Sequence, residues 1–129
     1  MSDRILSGSC ATSGLPLTAN GPVRLYTTGS LNQGALAPCT GAEDNLCRGI
    51  AKRGVATAGV AAAYIGGFGD TFLGRVSTTV VAGQALQIKN RGTFKPASPT
   101  AGNRIVARAL QGRTNTGLTW MQFEPNGVL

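Results

Sequence analysis

The residues that could move protons, attack a carbonyl or hold a metal are few in this sequence, and they are spread apart. There is no histidine, which removes the commonest general base near neutral pH. The acids are Asp3, Glu43, Asp44, Asp70 and Glu124. Only Glu43 and Asp44 are neighbours, and successive residues of an extended chain point to opposite faces, so they make a poor acid–base pair. The run Thr40-Gly41-Ala42-Glu43-Asp44-Asn45 reads as a solvated turn. Asp70 and Glu124 could meet only through the fold, and nothing around them points to it. Ser7, Ser9 and Cys47 carry nucleophilic atoms, but none sits in a GxSxG setting. Gly66-Gly67-Phe68-Gly69 is followed by neither a GK[ST] signature nor a helical pattern, so it is no phosphate loop. Such glycines serve positive-φ turns and bulges. The expectation is a protein without catalytic residues, cofactor or small-molecule substrate.

Metal chemistry is equally poorly supplied. The three cysteines, Cys10, Cys39 and Cys47, form no CxxC pair, and histidine, the usual co-ligand for zinc, is missing. An odd count does not close a disulfide framework. The expectation is reduced, partly buried thiols, with a Cys39–Cys47 bridge left open as an incidental oxidation product.

Binding is better supported. Twelve Lys and Arg against five acids give a net charge of +7, which attracts acidic protein faces, nucleic acid or anionic membranes. The positive charges are scattered, densest at Arg48, Lys52, Arg53 and at Lys89, Arg91, Lys95. Single-stranded nucleic acid would call for aromatics interleaved with such cations. Phe94, between Arg91 and Lys95, is the one local example, and it reads as readily as a turn residue packing inward. The uncharged, Ala- and Gly-rich stretch between Arg53 and Asp70 is glycine-broken and too short to cross a bilayer as a helix. With no signal-like apolar run after Met1, the expectation is a soluble product of the cytoplasm.

What must position these residues is a small all-β fold. The chain has 129 residues, 19 of them Gly, and no segment keeps a helical period beyond two turns. Period-two alternation recurs. Phe72, Val76 and Val80 oppose Arg75, Ser77 and Thr79; Leu86 and Ile88 oppose Gln87 and Lys89; Ile105, Ala107 and Ala109 oppose Arg104 and Arg108. Leu118–Phe123 reads as the last strand, closed by a turn at Glu124-Pro125-Asn126-Gly127. Phe68, Phe72, Phe94, Phe123, Tyr26, Tyr64 and Trp120 are the expected large core contributors. Residues 1–22, rich in small polar residues, read as an extended, loop-rich N-terminal arm able to add a strand to a partner's sheet. Residues 23–129 read as the β domain.

Asn45–Gly54 aligns with Asn103–Gly112, and beyond them Gly59 with Gly117, Ala63 with Met121 and Ile65 with Phe123. The reading is two related hairpins, 45–65 and 103–123, facing or neighbouring each other in one sandwich or barrel. Cys47, Gly49 and Ala51 would then share the inward face of Ile105, Ala107 and Ala109.

From Val80 onward the sequence resembles a known family. Val81-Ala82-Gly83-Gln84-Ala85-Leu86 is followed by Gly92-Thr93-Phe94-Lys95-Pro96-Ala97. Next come Ala101-Gly102-Asn103-Arg104-Ile105-Val106-Ala107-Arg108-Ala109-Leu110, a glycine-bracketed turn and a closing strand. This order is similar to the capsid cement, or head decoration, proteins of tailed bacteriophages. It spans roughly residues 44–123; Arg104, Arg108 and the Ser/Gly-rich start depart from the pattern. The resemblance implies a β-sandwich or β-tulip-like barrel that binds the outside of an assembled icosahedral capsid through its major capsid protein, commonly as a homotrimer. It also implies residence in the virion after synthesis in the host cytoplasm. Arg4, Ile5 and Leu6 in the arm, with Arg24 near the first strand, are the candidate capsid contacts. On this reading residues 1–20 can be removed without unfolding the domain. A single-stranded nucleic-acid-binding barrel and another virion or tail structural protein remain the alternatives.

Overall fold

The computed structural model describes residues 5–9, 16–25, 35–39, 41, 44–55, 61–90, 92–98 and 100–128. The described elements are strands β1 (Ile5–Ser9), β2 (Pro22–Leu25), β3 (Leu36–Pro38), β4 (Gly49–Ala51), β5 (Ala61–Ile65), β6 (Thr71–Val76), β7 (Ala85–Asn90), β8 (Thr93–Pro96), β9 (Arg104–Ala109) and β10 (Gly117–Val128). One 3₁₀ turn, Asp44–Leu46, joins them. The fold is all-β, in two layers. A five-stranded antiparallel sheet runs β1-β5-β4-β2-β3, and a closed barrel runs β10-β6-β8-β7-β9. No helix among the described residues is long and apolar enough to cross a membrane.

Three of the barrel strands are launched by one device. Gly67-Phe68-Gly69-Asp70, Val81-Ala82-Gly83-Gln84 and Thr100-Ala101-Gly102-Asn103 each close a turn in which the fourth amide donates to the first carbonyl, at 3.1 Å in every case. The third residue is glycine at φ +87°, +88° and +91° respectively. A positive φ there is what a type II turn demands, and glycine meets it without steric cost. Two turns are locked a second time. The Gly67 amide donates to Asp70 Oδ2 and the Val81 amide to Gln84 Oε1, both at 3.0 Å.

Alternation then fills the barrel. Phe72 and Val76 of β6, Leu86 and Ile88 of β7, Phe94 of β8, Ile105, Ala107 and Ala109 of β9, and Met121 and Phe123 of β10 are all buried. The rings of Phe72 and Phe94 meet at 5.7 Å, tilted by 54°. β6 and β8 pair in parallel, Val76 opposite Phe94, which closes the cylinder and leaves it without edges. Gly74 makes room in this core: a Cβ there would lie 2.8 Å from Met121 Cε.

The open sheet covers one side of the barrel. Cys39, Cys47, Ile50 and Ile65 join the same apolar cluster as Phe72, Val106 and Leu86. The other face of the sheet has its own smaller cluster of Leu17, Val23, Leu36, Ala51 and Val55, with Leu25 and Tyr64 against it. β4 is therefore buried on both faces, Ile50 toward the barrel and Ala51 away from it. Gly49 is forced by this packing, because a Cβ there would collide with the Ile65 carbonyl and the Tyr64 ring.

Several expectations change. The segments 45–65 and 103–123 both contain antiparallel hairpins, β4–β5 and β9–β10, but one lies in the sheet and the other in the barrel. Under the alignment their registers differ by one residue: Ala109 faces Met121, whereas Ala51 faces Tyr64 rather than Ala63. A one-residue step exchanges faces, so Ile50, and not Gly49 or Ala51, looks into the shared core. Glu124-Pro125-Asn126-Gly127 does not end the last strand. It forms a bulge in β10 between the pairs Phe123–Ala107 and Gly127–Ile105. Pro125 has no amide hydrogen to give the ladder, so the strand steps out and rejoins. Phe68, at a turn tip, is 69% exposed, and Trp120, on the outer face of β10, is 41% exposed; neither is a core residue. Tyr26 lies outside the described residues.

Candidate partner-binding surface

Each described carboxylate is engaged in holding the fold. Asp70 accepts the Gly67 amide inside its turn. Glu124 forms a two-pronged ion pair with Arg108, Nε to Oε1 at 3.1 Å and Nη2 to Oε2 at 3.4 Å. Arg108 Nη1 also donates to the Gly83 carbonyl at 3.0 Å, tying β9, β10 and the turn before β7 together. Asp44 corrects the sequence reading most sharply. It is not a solvated turn residue: it is buried, and its Oδ1 accepts the Ile88 amide at 2.7 Å. Burial pushes its carboxyl above the ordinary 3.8, while the Ile88 amide, its own amide and the charge of Lys95 pull it back. Glu43 lies outside the described residues.

Among the described residues no group of three metal-ligating side chains comes together. Cys39 and Cys47 are both buried, and Cys47 Sγ donates to the Gly49 carbonyl at 3.5 Å. Cys10 is not among the described residues.

Of the sequence-derived contact residues, those described lie on two separate strands, Ile5 and Leu6 on one and Arg24 on another. Arg4 lies outside the described residues. Ile5 and Leu6 belong to β1, opposite Ile65 and Tyr64 of β5. This stretch of the expected arm thus forms the edge strand of the chain's own sheet. Arg24 sits in β2, half-buried, with Nη1 3.4 Å from the Leu25 carbonyl that accepts its hydrogen. β5 and β4 stand between β1 and β2, so the two groups are about 14 Å apart at ordinary strand spacing.

Two features of the surface escaped sequence reasoning. The first is charge segregation. Asp44, Asp70 and Glu124 are buried or ion-paired, while Arg48, Lys52, Arg53, Arg75, Lys89, Lys95 and Arg104 are exposed. The described surface therefore presents cations with almost no exposed carboxylate among them, a stronger bias than the net charge conveys. The second is a groove of about 240 Å³ where sheet meets barrel. Ile50, Ala51 and Ile65 wall one side, Phe72, Leu73 and Trp120 the other, with Lys52 at the rim. The period-two pattern of β10 does place Trp120 opposite in face to Met121 and Phe123, and that was the available signal. A larger depression, about 510 Å³, lies between Val80-Val81 and the β9–β10 connection. Its one cation, Arg113, is already spent on the carbonyls of Asn115, Thr116 and Leu118. Phe94, the aromatic considered for base stacking, is fully buried in the barrel.

No protein-family model matches this chain, and no curated protein matches it in sequence. Its fold is similar to a solved structure described as the crystal structure of head fiber gp8.5 N base in bacteriophage phi29. The TM-score is 0.68 at 11% identity, over 98% of this chain and 99% of that one. The two share a fold over essentially their whole lengths.

Proposed function

We propose that this protein is a non-enzymatic structural component of a virion that attaches to the outer surface of an assembled capsid and stabilises it. The observation that carries the reading is the near-complete coverage of both chains in the fold match to a phage head fiber base. The cationic described surface supports an anionic partner, and each described carboxylate is engaged in holding the fold. The partner is the major capsid protein, and the protein acts as a homotrimer on the shell. Arg4, Ile5, Leu6 and Arg24 stay candidate contacts, Ile5 and Leu6 through the outer edge of the sheet.

The mechanism is linkage. A protein that binds the assembled shell and not its dissociated subunits stabilises assembly by about 2.7 kcal/mol per site at a free concentration one hundred times its Kd. Repetition over a symmetric lattice multiplies the effect. Positive charge on the docking protein speeds encounter and fixes register more than it deepens affinity.

Co-sedimentation with purified shells, set against a gel shift with single-stranded DNA, tests this. Saturable pelleting with shells is expected. A strong, salt-dependent DNA shift without pelleting would instead favour the nucleic-acid reading.

A further inference from the structure

We infer that the groove between sheet and barrel is a docking site for an acidic protein segment, which inserts an apolar side chain beside Trp120 and sets carboxylates against Lys52 and Arg75. The inference rests on the capsid reading and names the surface through which it operates.

Trp120 and Leu73 are opposite each other on the outer face of the β10–β6 ladder, and Leu118 is opposite Arg75 one step along. Outward positions of an exposed ladder are ordinarily polar, yet here Trp120, Leu118 and Leu73 are apolar and the first two are exposed. Ile50 and Ile65 close the inner wall of the groove and Lys52 stands at its rim. A half-exposed tryptophan lining a cleft, with Lys52 in the same lining and Arg75 one step along the ladder, has the composition of an interface anchor: aromatic and arginine side chains carry most binding energy where they do so at all.

Charge complementarity selects the occupant. Among the described residues no carboxylate is exposed near Lys52 or Arg75 to neutralise them, and Asp44, Asp70 and Glu124 are all withdrawn into the fold. A second copy meeting this groove with its own would set Lys52 and Arg75 against the same cations, and like charges oppose close approach, so contacts between copies in a trimer would use another face. An acidic segment with an apolar residue among its carboxylates satisfies both halves of the site.

Trp120 is the sole tryptophan, so its emission reports on the groove directly. The full-length protein is titrated with three probes: purified capsid shells, a soluble peptide of alternating glutamate and leucine, and a single-stranded DNA oligonucleotide. Shells and peptide are expected to blue-shift Trp120 emission. The double variant Lys52→Glu with Arg75→Glu, and separately Trp120→Ala, should weaken both by about tenfold or more, read by sedimentation for the latter. Because these side chains are exposed, an unchanged circular dichroism melt certifies the variants as folded. Shell binding without an emission shift, and with the variants within about twofold of wild type, overturns the site while leaving the capsid reading intact. A peptide-induced shift without shell binding keeps the site and sinks the capsid reading. Silence from both overturns both. A larger shift with DNA than with peptide, or a shift with protein concentration alone, overturns the assignment to an acidic protein segment.

Discussion

The Ile88 amide donates to Asp44 Oδ1 at 2.7 Å, and this bond fastens the 3₁₀ turn at Asp44–Leu46 to the barrel wall. It joins residues far apart in sequence and explains why a carboxylate tolerates burial there. Asp44→Ala would leave the Ile88 amide without its partner, at a cost of about 1–3 kcal/mol. Asp44→Asn keeps an acceptor oxygen and should cost less; equal losses in urea denaturation would contradict the assignment.

The same residue predicts a pH dependence. Burial raises the Asp44 pKa in the folded state, so the folded chain holds the proton more tightly than the unfolded one. This group's contribution is fully present below the ordinary carboxylate pKa and is lost as pH climbs through the raised folded value. The stability of Asp44→Asn relative to wild type should therefore rise from about pH 3 to pH 7. A flat difference across that range would contradict it.

Glycine positions should divide by cause. Gly83→Ala places a side chain at φ +88° with open space around it, so the penalty is backbone strain, about 1–2 kcal/mol. Gly49→Ala meets the Ile65 carbonyl and the Tyr64 ring, which only a shift of the β4–β5 pairing can relieve. Thermal melts should show a much larger drop for Gly49→Ala.

Barrel and surface aromatics should behave oppositely. Phe94→Ala removes a fully buried ring packed on Phe72 and should cost about 3–5 kcal/mol. Trp120→Ala, on the exposed face, should cost far less while weakening partner binding. Comparable losses of stability would place Trp120 in the core.

The buried thiols give a kinetic check. Cys39 is fully buried and Cys47 nearly so. In a Cys10→Ser variant, both should react with a thiol reagent only as fast as the chain opens, and at once in denaturant.

The barrel was legible where its strands alternate buried apolar residues with others on the opposite face. Leu86 and Ile88, or Ile105, Ala107 and Ala109, declare their face by alternation alone. The sheet was harder to read. β4 is only Gly49–Ala51 and is covered on both faces, so Gly, Ile and Ala in succession carry no alternation. The strand at Ile5–Ser9 was hidden by its Ser and Gly content, which suits a loop until β5 supplies the pairing. Asp44 was misread because its partner, Ile88, is distant in sequence. Leu17, within the expected arm, is buried and exchanges backbone hydrogen bonds with Val55. Removing residues 1–20 would therefore damage the fold as well as any contact made by the arm. Arg24 was proposed as a contact from its charge and its nearness to a strand, whereas the Trp120 groove needed the sheet and barrel brought together.

The central claim is tested most directly by the temperature at which purified capsid shells come apart, measured by light scattering as this protein is added. The account predicts a rise that grows with protein concentration and saturates once the shell sites fill. An unchanged or lowered disruption temperature in the presence of excess folded protein would contradict it.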